Sequence, residues 1–203
     1  MESSKPVLFT VGHSVHPIDH FIKILKMNRI DAVADVRSSP YSKFTPQFNR
    51  EPLKKSLKDH GIRYVFLGEE LGARRDEPEC YEGSKVVYRR VANLPSFKIG
   101  ISRLREGTEK MRVAIMCAEK DPSTCHRTVL VAHFARDQFS ETLHILEDGS
   151  LESRAEADLR LLTEYELEKD DLFSPYGERL ALAYSRRAEK IAYEENHEHV
   201  AYG

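Results

Sequence analysis

Five short apolar runs rich in β-branched residues punctuate the first 150 residues: VLFTV (7–11), DAVADV (31–36), IRYVFL (62–67), RVAIMC (112–117) and TLHIL (142–146). Runs of this length and composition read as strands. The segments between them read as helices. Pro17 suits a first helical position, and Phe21, Ile24, Leu25 and Asn28 share one face of a helix over 17–28. Pro52 opens a helix over 52–60, with Leu53 and Leu57 on one face and Gly61 just past its end. Pro95 opens another over 95–106, carrying Phe97, Ile101 and Leu104. Asp121 is a cap and Pro122 a first position for a fourth helix reaching about Arg136. Residues 68–90 read as a long irregular loop, which is uncommon in a compact domain unless it is functional. Such alternation predicts an α/β fold: a mostly parallel five-stranded sheet, Rossmann-like, with helices on both faces. The strands are apolar nearly throughout, as expected when both faces are covered.

Residues 151–203 are more charged and carry two helical patterns without a chemical motif. They are expected to form a helical extension to the 1–150 domain, packing on that domain or on a second copy of the chain in a homodimer. The final HEHVAYG is expected to be disordered.

A chain of 203 residues, 40% apolar and 32% charged, is long enough for a sizeable core. No apolar run approaches the roughly 20 residues of a membrane helix. The apolar run behind Lys5 is too short for a signal peptide. Three cysteines make no disulfide framework. A cytoplasmic protein without a membrane partner is therefore expected. The net charge of −2 does not imply nucleic acid. Residues 37–63, however, carry seven basic residues against two acidic ones. This local field can draw phosphate, or be no more than a solvated helix face with loop charges.

Each conspicuous polar cluster follows a strand: GHS, RSSPYS, GEELGARR, CAEKDP and EDGS. In a parallel sheet these loops share the carboxyl edge, where ligands bind at the point where strand order reverses. Gly12 allows close backbone approach. Ser14 or His16 is placed to cap the first helix, whose start can hold an anion or be a plain junction. A G-x-G-x-x-G spacing is absent, and no cofactor is expected. Asp35 and Arg37, two positions apart in a strand, face one side and can pair. Arg37 is then either a structural partner or a fork for phosphate or carboxylate, with Ser38, Ser39, Tyr41, Ser42 and Lys43 as further donors.

MCAEKDPSTCHR (116–127) is the densest stretch. Cys117 ends the fourth strand, Glu119 and Asp121 lie in the loop, and Cys125, His126 and Arg127 fall at the helix start, where a thiol pKa is lowered. One reading is a nucleophilic cysteine, as in cysteine phosphatases and sulfurtransferases. Those place an arginine closer than the ten residues that separate Cys117 from Arg127. A second is a metal site from Cys117, Cys125, His126 and His13, although Cys-x7-Cys-His is not a usual zinc spacing. The third, favoured here, is an acid–base site: Glu119 and His13 or His126 exchange protons while Arg37 and Arg127 hold an anion. Against all three, the cysteines can pack as small apolar residues.

Through TVGHS, DVRSSPYSKF, FNREPLKKSL, GIRYVFLGEELGA, MCAEKDPSTCHR and LHILEDG, the chain resembles domain-of-unknown-function family 488 over about 8–149. The resemblance implies a compact α/β domain. It marks Gly12, His13, Ser14, Asp35, Arg37, Pro40, Glu119, Cys125, His126 and Arg127 as motif positions. Lys43 stands where the family has an arginine, and Ala73 where it has a second glycine.

The expected function is an enzyme, a hydrolase or transferase, acting on a phosphorylated or nucleotide-like substrate at the sheet edge. Its catalytic candidates are Glu119, His13, His126 and, as nucleophile, Cys117. Gly12, Ser14, Asp35, Arg37, Ser39, Pro40, Tyr41, Lys43 and Arg127 are the substrate-binding candidates. The expected partner is an anionic small molecule or nucleic acid. The alternatives are a non-catalytic nucleotide or nucleic-acid binding module, and a metal-binding protein using Cys117, Cys125 and His126.

Overall fold

The computed structural model of the chain describes residues 5–169 and 173–195. The expectation for HEHVAYG lies outside them. In chain order the strands are β1 (Val7–Gly12), β2 (Ala32–Asp35), β3 (Arg63–Phe66), β4 (Tyr81–Glu82), β5 (Lys85–Val86), β6 (Val113–Cys117), β7 (Glu141–Ile145) and β8 (Leu151–Ser153). The helices are α1 (Ile18–Met27), α2 (Arg50–Asp59), α3 (Gly68–Leu71), α4 (Tyr88–Asn93), α5 (Pro95–Thr108), α6 (His133–Ala135), α7 (Arg154–Glu164) and α8 (Tyr176–Ile191).

The five expected strands form a parallel sheet in the order β3-β2-β6-β1-β7. A sixth strand, β8, joins it antiparallel to β7. The EDGS stretch is therefore a hairpin turn rather than a strand-to-helix junction. Gly149 takes φ +86°, a conformation that glycine adopts without penalty, and the Leu146 amide donates to the Ser150 carbonyl across the turn.

Successive strand residues point to opposite faces and fill two cores. Leu8, Ala32, Ala34 and Ile115 pack with side chains of α4, α5, α7 and α8. Phe9, Val11, Val33, Ala114 and Met116 pack with α1 and α2. The expected cover on both faces stops at β3, an edge strand whose Arg63 and Val65 are exposed.

Residues 68–90 are not structureless. They hold α3, a 3₁₀ turn at Pro78–Cys80 and the β4–β5 hairpin, each too short for periodicity to announce. Arg75 ties them together through Glu77, Ser96 and the Glu69 carbonyl. The fourth expected helix is broken as well. Asp121 caps a 3₁₀ turn at Pro122–Thr124, accepting from the Ser123 amide at 2.8 Å. Cys125 is then extended (φ −126°, ψ 141°), and Arg127–Ala132 wind as a π-helix into α6. At α1 the N-cap is Pro17 itself, and neither Ser14 nor His16 caps it.

The C-terminal extension packs on the domain. Leu161 and Leu162 of α7 and Leu180, Ala183 and Tyr184 of α8 belong to the same buried cluster as Leu8 and Ile115. Ser153 and Glu156 form a capping box that starts α7 directly from β8. No helix among the described residues is long and apolar enough to cross a membrane.

Candidate functional site

The three central strands β2, β6 and β1 end side by side. β1 leads to α1 on one face of the sheet, whereas β6 leads to the π-helix on the other. Chains that diverge in this way open a crevice at the carboxyl edge.

Asp35, at the end of β2, is fully buried. Arg37 grips it as a fork, Nε to Oδ1 at 2.9 Å and Nη2 to Oδ2 at 2.6 Å. The Tyr64 hydroxyl donates to the same carboxylate at 2.8 Å from neighbouring β3. Arg37 Nη2 also donates to the Phe48 carbonyl, and Nη1 lies 3.1 Å from His13 Nε2. His13 Nδ1 faces the Ser14 carbonyl at 2.8 Å, an acceptor only, so Nδ1 carries the proton and Nε2 accepts from Arg37. Burial and the Arg37 charge lower the His13 pKa to about 4. His13 is a neutral prop for Arg37, stacked on Phe48 at 4.3 Å, with both ring nitrogens engaged.

Arg127 has no exposed surface. Its guanidinium donates to the carbonyls of Glu119 (2.6 Å) and Lys120 (3.1 Å) and to the Thr10 hydroxyl (3.4 Å). It holds the 119–120 loop from beneath, and does not reach the crevice as an anion ligand would. Gly12 lies against the same loop, where a Cβ would overlap the Glu119 carbonyl. The close approach expected at Gly12 is thus to the protein's own backbone.

Cys117, Glu119, Cys125 and His126 converge on one point, their side-chain donor atoms all within 4.8 Å of one another. Cys117 Sγ lies 2.9 Å, and Cys125 Sγ 2.8 Å, from the same Glu119 oxygen. His126 Nδ1 is 3.3 Å from Cys117 Sγ, and Nε2 faces the Val36 carbonyl at 2.9 Å, which fixes the proton on Nε2. The extended Cys125 turns its thiol back towards Glu119, which an unbroken helix from Pro122 would not do. Burial pushes the Cys117 thiol up and, with the Cys125 charge, raises Glu119.

A cavity of about 260 Å³ opens over this cluster. Arg37, Ser38, Ser39 and Arg74 form one wall, and Cys117, Glu119, Thr124 and His126 the other. Tyr88, Ile191 and Tyr193 close it, with the Arg74 guanidinium 4.6 Å over the Tyr193 ring. Of the residues expected to form the site, Arg37, Ser39, Cys117, Glu119 and His126 meet in this cavity. Asp35, His13, Gly12 and Arg127 support it from behind. Ser14, Pro40, Tyr41 and Lys43 do not line it, and Tyr41 and Lys43 are exposed elsewhere. Arg74, Tyr88, Ile191 and Tyr193 are additions. Arg74 sits in the polar loop after β3, whereas nothing in the tail's charge pattern marks Ile191 and Tyr193.

A match to the family described as domain of unknown function DUF488 spans residues 17–134, more than half of the chain. The chain belongs to this family. The DUF488 span contains Arg37, Arg74 and the whole 117–127 stretch, and begins after Gly12, His13 and Ser14. No curated protein and no solved structure matches the chain.

Proposed function

We propose that the protein is an enzyme acting on a phosphorylated or nucleotide-like small molecule bound in the cavity at the sheet edge. One observation carries this reading: the Arg74 guanidinium and the hydroxyls of Ser38 and Ser39, with the one N–H that Arg37 keeps free of Asp35, Phe48 and His13, face Cys117, Glu119 and His126 across a single cavity. Guanidinium and hydroxyl donors suit a phosphate. The opposite wall supplies a carboxylate and a thiol within reach of a bound group. A volume of about 260 Å³ lies just below that of common ligand pockets and suits a small phosphorylated compound or part of a nucleotide. Glu119 is the group proposed to move a proton. His126 and His13 have their nitrogens engaged within the protein and are proposed as positioning residues. The free thiols of Cys80, Cys117 and Cys125 fit a reducing, cytoplasmic setting.

Arg74 tests the anion subsite because it is exposed and its loss uncovers no buried charge. Calorimetry with pyrophosphate, nucleoside monophosphates and sugar phosphates is expected to find a ligand for the wild type. Arg74→Ala should weaken that ligand about tenfold or more, the worth of one charged hydrogen bond. Glu119→Gln should abolish turnover while leaving binding in place. A wild type that binds none of these compounds, or an Arg74→Ala variant that binds them unchanged, overturns the proposal.

A further inference from the structure

We infer that Cys117, Glu119, Cys125 and His126 form a site for one divalent transition metal of the zinc class. Their donor atoms lie within 4.8 Å of one another. A tetrahedral ion with bonds of about 2.0–2.3 Å sets its ligands roughly 3.3–3.8 Å apart, so little movement brings these four onto one centre. Cys117 Sγ and His126 Nδ1, at 3.3 Å, already have that separation. The Glu119 carboxylate lies closer than that to both sulfurs, at 2.9 and 2.8 Å, so it is the ligand that has to draw back to admit an ion.

The surroundings prepare these groups as ligands. His126 Nε2 donates to the Val36 carbonyl at 2.9 Å, which leaves the Nδ1 lone pair aimed at the cluster. A second-shell hydrogen bond of this kind orients and fixes the tautomer of metal-bound histidines. The Arg127 backbone amide donates to Cys125 Sγ at 3.4 Å, a contact that favours a thiolate. Two nearby cations are engaged elsewhere: Arg127 holds the Glu119 and Lys120 carbonyls, and Arg37 is forked to Asp35. Cys117 and Cys125 both approach one Glu119 oxygen, at 2.9 and 2.8 Å, so an ion entering among them would displace the thiol protons and take all three groups as ligands. Two sulfurs, one imidazole and one carboxylate match zinc better than magnesium or calcium, which take oxygen ligands.

Cys117, Cys125 and His126 are ligands that the sequence already offers, and a strand end and an extended residue after a 3₁₀ turn bring them to Glu119 rather than to His13. Cys117, Glu119 and His126 line the cavity, so the ion would face the proposed anion subsite. The inference does not depend on that substrate.

The test is elemental analysis of untagged full-length protein purified in metal-free buffer, with cobalt(II) titration of the same protein after chelation. About one equivalent of zinc per chain is expected, falling below about 0.1 in Cys125→Ser. Cobalt should give the intense visible bands of a tetrahedral thiolate site. If Cys125→Ser does not fold, the wild-type cobalt spectrum decides alone. A wild type that retains less than about 0.1 equivalent of metal and gives no thiolate–cobalt band overturns the inference. Calorimetric anion binding on the same preparation keeps the two proposals apart. Metal without anion binding sinks only the proposed substrate, and anion binding without metal sinks only the metal site.

Discussion

At the residue scale, Asp35 and Arg37 set the geometry of the crevice. A carboxylate with no exposed surface is costly unless paired. Its fork to Arg37, with the hydroxyl of Tyr64, supplies that pairing. Arg37→Ala would strand the charge, and a loss of about 3–5 kcal/mol is expected in urea denaturation. Arg37→Lys should recover little of it, because an ammonium cannot make two parallel bonds to one carboxylate. A loss under about 1 kcal/mol would mean that the pair is not a structural anchor. The sequence offered this pair as one of two readings of Arg37, on the assumption that both residues lie in the strand, but β2 ends at Asp35 and Arg37 folds back on it from the loop. The burial of Arg127 was not legible. An arginine just past a polar loop reads equally well as facing a ligand or as reaching back under the loop. Only the Glu119 and Lys120 carbonyls above it decide the matter.

At the element scale, the segment from Asp121 to Ala135 departs most from its sequence reading. Asp121 and Pro122 do start a helical turn, but it ends after Thr124, and the chain resumes as a π-helix. Apolar spacing does not reveal this, since Arg127–Ala132 are buried at every position and show no helical period that would mark where the turn type changes. Asp121 does more than cap. Both its oxygens take Arg160 of α7 at 3.0 Å, and Arg160 also grips Glu152 of β8. The carboxylate therefore links the loop that carries Glu119 to the C-terminal elements. Asp121→Asn should keep the cap and lose little, because exposed ion pairs are worth about 1 kcal/mol or less. Asp121→Ala should cost about 1–2 kcal/mol through the lost cap, read as a lower thermal midpoint. Equal midpoints for the two variants would show that the cap contributes nothing. The strands were legible, and so were Pro95 and Pro122 as first residues of helical turns, whereas Pro17 is the cap of α1 and Pro52 the third residue of α2. The β8 hairpin was not legible, because three residues of mixed polarity carry no period.

At the scale of the whole molecule, the charged tail that looked like an appendage completes both the core and the cavity. Its helix α8 adds Leu180, Ala183 and Tyr184 to the core, and the chain just beyond brings Tyr193 over the site. The tail helps to bury His133, stacked on Tyr184, and His144, beside β8, while Phe48 and Arg37 cover His13. Burial lowers His13 and His133 to about 4 and His144 to about 3. The sign of the consequence follows from linkage. Above pH 6.5 these histidines are neutral, folded or unfolded, and contribute no pH dependence. Below it the unfolded chain binds protons that the folded chain refuses. Stability then falls by up to about 1.4 kcal/mol per pH unit for each histidine, until the folded groups titrate near pH 4 and pH 3. Glu119 and Asp158, raised mainly by burial, work in the opposite direction as acid is added. His16 is lowered as well and His126 raised, so four lowered histidines stand against one raised histidine and two raised carboxyls, and the urea midpoint should drop from pH 6.5 to pH 4. His144→Gln isolates the effect at the most acid-shifted group. Its side chain can still accept from the Thr10 hydroxyl, which lies 2.9 Å from His144 Nδ1, but it cannot titrate. The variant should flatten the slope by close to one histidine's share. A slope equal to that of the wild type would mean that His144 is solvated when folded, and that the tail does not seal this side of the sheet.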